Sequence, residues 1–192
     1  MPQSKIIIPI IVIAQFCCTS LWFAGNAVMG DLIVDFHLGA TDLASLTTAV
    51  QVGFICGTLV FALLMIPDRF PPARVFFLSA VFGAAFNLCT IIGWNNLISL
   101  LSFRFCTGFF LAGIYPVGMK IAADYREKGL GVALGFLVGA LVLGTAFPHL
   151  LKGMTSTLPW RTVLFITSGL ALFGGVLMLL FVPDGPYRKQ SQ

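Results

Sequence analysis

The sequence predicts an all-α integral membrane protein of six transmembrane helices, and three observations carry that fold class. Hydrophobic residues make up 58% of the 192-residue chain and charged ones only 9%, against about 25% charged in ordinary soluble domains. The apolar residues gather into six runs without strand-like alternation, each near the ~20 residues that cross a bilayer as a helix. Threading those runs through a membrane puts most basic residues on one side.

Span one is expected at about 6–30. Lys5 ahead of the apolar stretch 6–14 has the look of a signal peptide, but the run continues past Phe23 without a small-residue cleavage site, which marks a retained span. A loop at 31–42 carrying Asp31, Asp35 and Asp42 leads to span two at 44–66. The loop 67–74 leads to span three at 75–93, and the turn 93–96 to span four at 97–119. The basic loop 120–129 precedes span five at 130–151, and 152–159 precedes span six at 160–182. No connection is long enough to fold alone, so residues 1–192 read as a single six-helix unit.

Lys5, Arg69, Arg74, Lys120, Arg126, Lys128, Arg188 and Lys189 fall on one side of this arrangement, and only Lys152 and Arg161 on the other. Basic loops stay in the cytoplasm, so both termini are expected there. The net charge of +4 is a small excess that has meaning only through this placement, and it carries no nucleic-acid footprint. Aligning the spans three against three exposes a repeat: 53–57 reads GFICG where 135–139 reads GFLVG, and 75–79 reads VFFLS where 163–167 reads VLFIT. A 3+3 inverted repeat is a transporter device; coincidence is the other source of such a match, since Gly, Phe, Val and Leu fill most membrane helices.

Arg104 lies seven positions into span four, roughly 10 Å below the boundary at 1.5 Å per residue. A cation at that depth either points into a wet cavity or bundle interior, or snorkels to the headgroups. Tyr115 follows at i+11 on the same helix face, and no acid occupies the middle of any span. Gln15, Trp22 and Asn26 form a polar stripe on span one, and Thr47, Gln51 and Thr58 one on span two. Such stripes line a solute pathway or make ordinary interhelical hydrogen bonds. On span five, Gly131, Gly135, Gly139 and Gly144, followed by Pro148, suit either a moving seam or static close packing.

Cys17, Cys18, Cys56, Cys89 and Cys106 sit in apolar runs, and His37 and His149 have no Cys or carboxylate at ligand spacing, so no metal is expected. There is no Walker motif, dinucleotide fingerprint or nucleophile elbow. A cofactor-free protein that is not an enzyme is the expectation.

The loop 67–75 (PDRFPPARV) resembles the Asp-Arg loop motif of the major facilitator superfamily, whose acid and basic residues latch the cytoplasmic ends of two bundles. The resemblance gives Asp68, Arg69 and Arg74 that gating role, with Leu64 and Pro71 where the family has two loop glycines. In span four, 104–108 (RFCTG) is similar to the family's intramembrane Arg and Gly pattern, whose arginine takes part in substrate binding or proton coupling. The stretches 112–120, 21–26 and 184–187 resemble a branch of generic bacterial permeases, which implies a bacterial inner membrane. Span five departs from the drug-antiporter motif, since Pro148 follows Gly144 by four residues instead of one.

The resemblance covers the whole chain but matches the amino-terminal six-helix half of a twelve-span fold. A lone half would turn its polar stripes to lipid at a cost of several kcal/mol. A second copy in a homodimer, a separate six-helix chain, or the remainder of a longer protein would each cover that face. The expectation is a half-size secondary transporter in the bilayer. It moves a small anionic or zwitterionic solute by alternating access, with Gln15, Trp22, Asn26, Gln51, Arg104 and Tyr115 lining the site and spans two and five as the moving seam. The competing reading is a non-transporting assembly subunit or a vestigial half.

Overall fold

The computed structural model describes residues 3–39, 41–93, 95–126, 128–154 and 158–188, with the side chains of 3–5 also left aside. Lys189 and the Lys5 side chain, two of the eight basic residues on the expected cytoplasmic side, lie outside the described residues. Six helical spans are long and apolar enough to cross a membrane: Ile6–Ala27, Asp42–Leu63, Pro72–Cys89, Leu97–Asp124, Leu130–Met154 and Trp160–Phe181. They match the six expected runs to within a few residues, and the described residues contain no strand.

Three differences from expectation stand out, and the breaks in spans one and four have local causes. Span one is interrupted, running as α1 (Gln3–Thr19) and α2 (Leu21–Ala27). At the junction the Thr19 hydroxyl donates to the Gln15 carbonyl (2.8 Å) and Ser20 to Cys17 (2.7 Å), hydroxyls competing for carbonyls of the helical ladder. The loop placed at 31–42 begins as helix, α3 (Met29–Asp35). Span two is α4 (Asp42–Leu63), followed by the short α5 (Ile66–Arg69), and span three is α6 (Pro72–Cys89).

Span four is broken into α7 (Leu97–Leu111) and α8 (Tyr115–Asp124). Pro116 has no N–H for the Ala112 carbonyl, and three i→i−3 bonds, ending with Ile114 N to Leu111 O at 3.0 Å, tighten the connection. The span starts at an Asn96–Ser99 capping box. Spans five and six are α9 (Leu130–Met154) and α10 (Trp160–Phe181).

Helix neighbours follow a three-against-three exchange: span two packs on four as five packs on one, three packs on four as six packs on one, and three meets six. The span two to four seam brings backbones together. A Cβ on Gly53 would collide with the Phe105 carbonyl, on Gly57 with that of Phe109, and on Gly108 with that of Val50. Spans two and five are the least buried of the six.

A buried polar knot joins spans three, six and one. The Asn87 amide donates to Ser168 Oγ (3.0 Å) and lies 3.4 Å from Thr167 Oγ1, while Ser20 Oγ reaches the Thr167 carbonyl at 3.5 Å. Asn87→Ala is expected to lower stability by about 1–2 kcal/mol, since interhelical hydrogen bonds in membranes are worth about 0.6 to 2 each. Unfolding of the variant in mixed micelles measures this, and an unchanged midpoint would show the knot contributes nothing.

Candidate functional site

Arg104 is 3% exposed, which settles its direction: it points into the bundle and does not snorkel. Nη2 donates to the Trp22 carbonyl (2.7 Å) and to Asn26 Oδ1 (3.0 Å) on span one. Asn26 in turn donates its Nδ2 to Thr47 Oγ1 on span two (2.8 Å), so one chain of hydrogen bonds ties spans four, one and two. The guanidinium lies flat against Gly25, where a Cβ would come within 3.1 Å of Cζ. Nε and Nη1 are buried with no acceptor, and Arg104 helps to line a small apolar void with Gly25, Met29, Leu46 and Leu100. All acceptors are neutral, so the charge is hydrogen-bonded on one side and uncompensated on the other.

The other residues expected at the site divide. Trp22 is half-buried, tilted against Phe54 with ring centroids 4.5 Å apart, and it meets Arg104 through its carbonyl instead of its indole. Gln15 is fully buried one helical segment away, with both amide atoms unpartnered and its oxygen where a Cβ on Gly118 would be. Gln51 is exposed on span two, one turn from Thr47, and makes no hydrogen bond to the Arg104 chain. Tyr115 lies beyond the span-four break, so the helical arithmetic that aligned it with Arg104 does not carry across three i→i−3 turns. Gly25 was not among the expected site residues; its signals were its place between Trp22 and Asn26 and its membership of the 21–26 stretch.

The expected glycine seam also divides. Gly144 faces inward onto Phe16 and Thr19 of span one, in the buried stripe of Ala133, Leu137, Ala140 and Pro148. Gly131, Gly135 and Gly139 have nothing within 4 Å and point away from the bundle. The step of five from Gly139 to Gly144 turns the helix about 140° off the series, so the four glycines do not form one seam. Span two spends Gly53 and Gly57 on static contact with span four, which leaves only its opposite face for a moving partner.

At the basic end, Asp68 pairs with Lys120 of span four (3.3 Å), and Lys120 also meets Asp124 (3.1 Å). Arg188 pairs with Asp184 and donates to the Phe70 carbonyl at 3.0 Å, strapping the carboxy-terminal segment over the loop. Arg69 and Arg74 are exposed and make no ion pair among the described residues, so of the three expected latch residues only Asp68 is engaged, and within its own bundle. Met65 takes the left-handed turn here (φ 51°), one residue after the Leu64 expected to replace a loop glycine. Burial, with the charges of Asp184 and Asp124 nearby, pushes the Tyr125 hydroxyl up to about 12. At the opposite end Asp31 pairs with Lys152 (2.8 Å) and Asp35 with Arg161 (3.3 Å), joining α3 to spans five and six.

A sequence profile of the Major Facilitator Superfamily matches residues 11–192. The chain is 28% identical over 167 residues to the MFS-type transporter phm3 of Pyrenochaetopsis sp, covering 83% of this chain and 33% of that protein. It is 28% identical over 177 residues to the uncharacterized transporter C36.02c of Schizosaccharomyces pombe, covering 90% and 30%. It is also 28% identical over 155 residues to the MFS-type transporter acdC of Aspergillus candidus, covering 78% and 30%. The chain spans about a third of the length of these relatives. All three are fungal, and the bacterial branch suggested by the sequence has no counterpart among them.

Proposed function

The chain belongs to the major facilitator superfamily, and from that premise we propose that its six helices form one half of a secondary transporter for a small anionic or zwitterionic solute. One observation carries the substrate class: Arg104 is buried inside the bundle with Nε and Nη1 unpaired, and every acceptor it has among the described residues is neutral. An anion reaching that face would supply the missing acceptors and the counter-charge together. The chain works by alternating access: Arg104 is 3% exposed, so a solute reaches it only when the surrounding helices part. Asn26 and Trp22 hold the arginine, and Gln15, Gln51 and Tyr115 contribute where the pathway widens. Arg69 and Arg74 engage the partner half, whereas Asp68 is already committed to Lys120 within its own bundle.

A second six-helix unit covers the open faces of spans two and five, including Gln51, Gly131, Gly135 and Gly139. That unit is a second copy, a separate chain or the remainder of a longer protein. The basic end faces the cytoplasm.

The test is a thermal-stability screen of the purified chain against small carboxylates, phosphates, amino acids and neutral sugars. Ligand at a hundredfold excess over its Kd is expected to stabilise by about 2.7 kcal/mol. Stabilisation by neutral sugars alone would overturn the substrate class. Silence across the panel, with native mass spectrometry showing the assembled dimer, would favour a non-transporting subunit.

A further inference from the structure

We propose that His149 is a second cationic group of the solute pathway, protonated when the anion binds, so that the anion and a proton enter together. This rests on the anion-transport reading above and adds to it the residue that carries the proton.

His149 lies in span five, five residues before Met154 and so about 7.5 Å from the end opposite the basic loops, at 1.5 Å per residue. Arg104 lies seven residues from that same end of span four, about 10 Å, so the two sit at similar depth. Helix α2 packs on both spans. Arg104 holds the Trp22 carbonyl (2.7 Å), and the next residue, Phe23, meets the His149 imidazole with ring centroids 6.2 Å apart. His149 is exposed, and helical periodicity places it with Val142 and Gly135, seven and fourteen residues earlier, on the face of span five assigned above to the second six-helix unit.

The charged groups on the surrounding helices are already engaged. On span five Lys152 pairs with Asp31 of α3 (2.8 Å), and on span six Arg161 pairs with Asp35 (3.3 Å), which also accepts from Trp160 Nε1. α1 and α2 carry no charged residue besides Lys5, and those of α8, Lys120 and Asp124, pair with each other at the basic end. Residues 155–157 beyond this end of span five are Thr, Ser and Thr, none of them ionisable in this range. No carboxylate among the described residues pairs with His149, and Arg104 is the remaining charge at its level. An imidazole is the side chain that changes charge between about pH 5 and 8. With the pathway empty, the Arg104 charge opposes a second cation there; an anion between them favours it. The proton comes from water at the outer end and leaves to water at the basic end with the anion, which returns His149 to the neutral form.

The test measures binding of lactate, sulfate and aspartate, anions ionised across the whole range, by thermal shift of the purified chain at about pH 5.5 and about pH 8. His37→Gln is in the background, so that one imidazole remains. Binding is expected to be about tenfold tighter at the lower pH, the effect of one charge-assisted hydrogen bond. His149→Gln should hold the affinity at its high-pH value throughout, and His149→Arg should hold it at the low-pH value. Saturating anion added near pH 7 in weak buffer should draw protons from solution, because the anion tightens proton binding by the factor that the proton tightens the anion. Equal affinity at the two pH values, or an unchanged pH profile in His149→Gln, would overturn the proposal and leave the anion reading standing. Stabilisation by none of the anions at either pH would bring down the anion reading and this one with it. Independently of any solute, refusal of His149→Cys to react with a charged, water-soluble thiol reagent in lipid vesicles would overturn it, since a proton carrier must meet water.

Discussion

Gly108→Leu is expected to leave the six-helix bundle unfolded or grossly destabilised. The glycine faces Val50 so closely that even a methyl group would overlap the Val50 carbonyl, and the obstacle is backbone that cannot rotate away. Gly53 and Gly57 face span four in the same manner, so the two helices would have to separate along the whole seam. Overpacking a well-fitted core typically costs 1–3 kcal/mol and more when backbone must move, so a loss of about 3 kcal/mol or more is expected. The control is Gly135→Leu, which has nothing within 4 Å and should leave the stability of the isolated bundle within about 0.5 kcal/mol. Thermal unfolding of both variants in detergent reads the difference. If Gly108→Leu melts like the unaltered chain, spans two and four are not held by this contact.

Arg104→Gln should separate stability from function. The guanidinium is buried with neutral acceptors on Nη2 and none on Nε or Nη1, so it carries a desolvation cost that its partners do not offset. Replacing a buried charge by a neutral group of similar length is expected to be neutral or mildly stabilising. Binding of an anionic solute should fall by about 10- to 100-fold, the equivalent of one charged hydrogen bond of about 1.5–3 kcal/mol. Arg104→Lys should recover part of it, since an ammonium keeps the charge and loses the planar fork. Ligand-induced shifts in melting temperature report both quantities on one sample. A glutamine variant that keeps its response to anions would remove Arg104 from the site.

Such an uncompensated group is where local physical rules and stability part company, and functional sites are where that is expected. The Asn87 knot offers the contrast. It is equally buried, but its amide donates to hydroxyls of span six, and nothing there waits for a ligand.

Much of this protein is settled by sequence alone. Six apolar runs without alternation can satisfy their backbone groups in a bilayer only as helices, so span number and approximate limits follow from composition and length. The segregation of basic residues to one end follows equally, because charges stay at the ends of spans. The chemical oddity of Arg104 was visible for the same reason.

Tertiary structure decided how those parts face one another. Helical periodicity tells which residues share a face but not which neighbour that face meets, so Gly144 and Gly135 were indistinguishable until span five was packed on span one. Periodicity also holds only along unbroken helix. Pro116 and the Ser20 junction interrupt spans four and one, and Tyr115 lost its alignment with Arg104 there. One of the two acceptors of Arg104 is a backbone carbonyl, which every residue carries, so no sequence pattern could show that Trp22 meets it through its main chain.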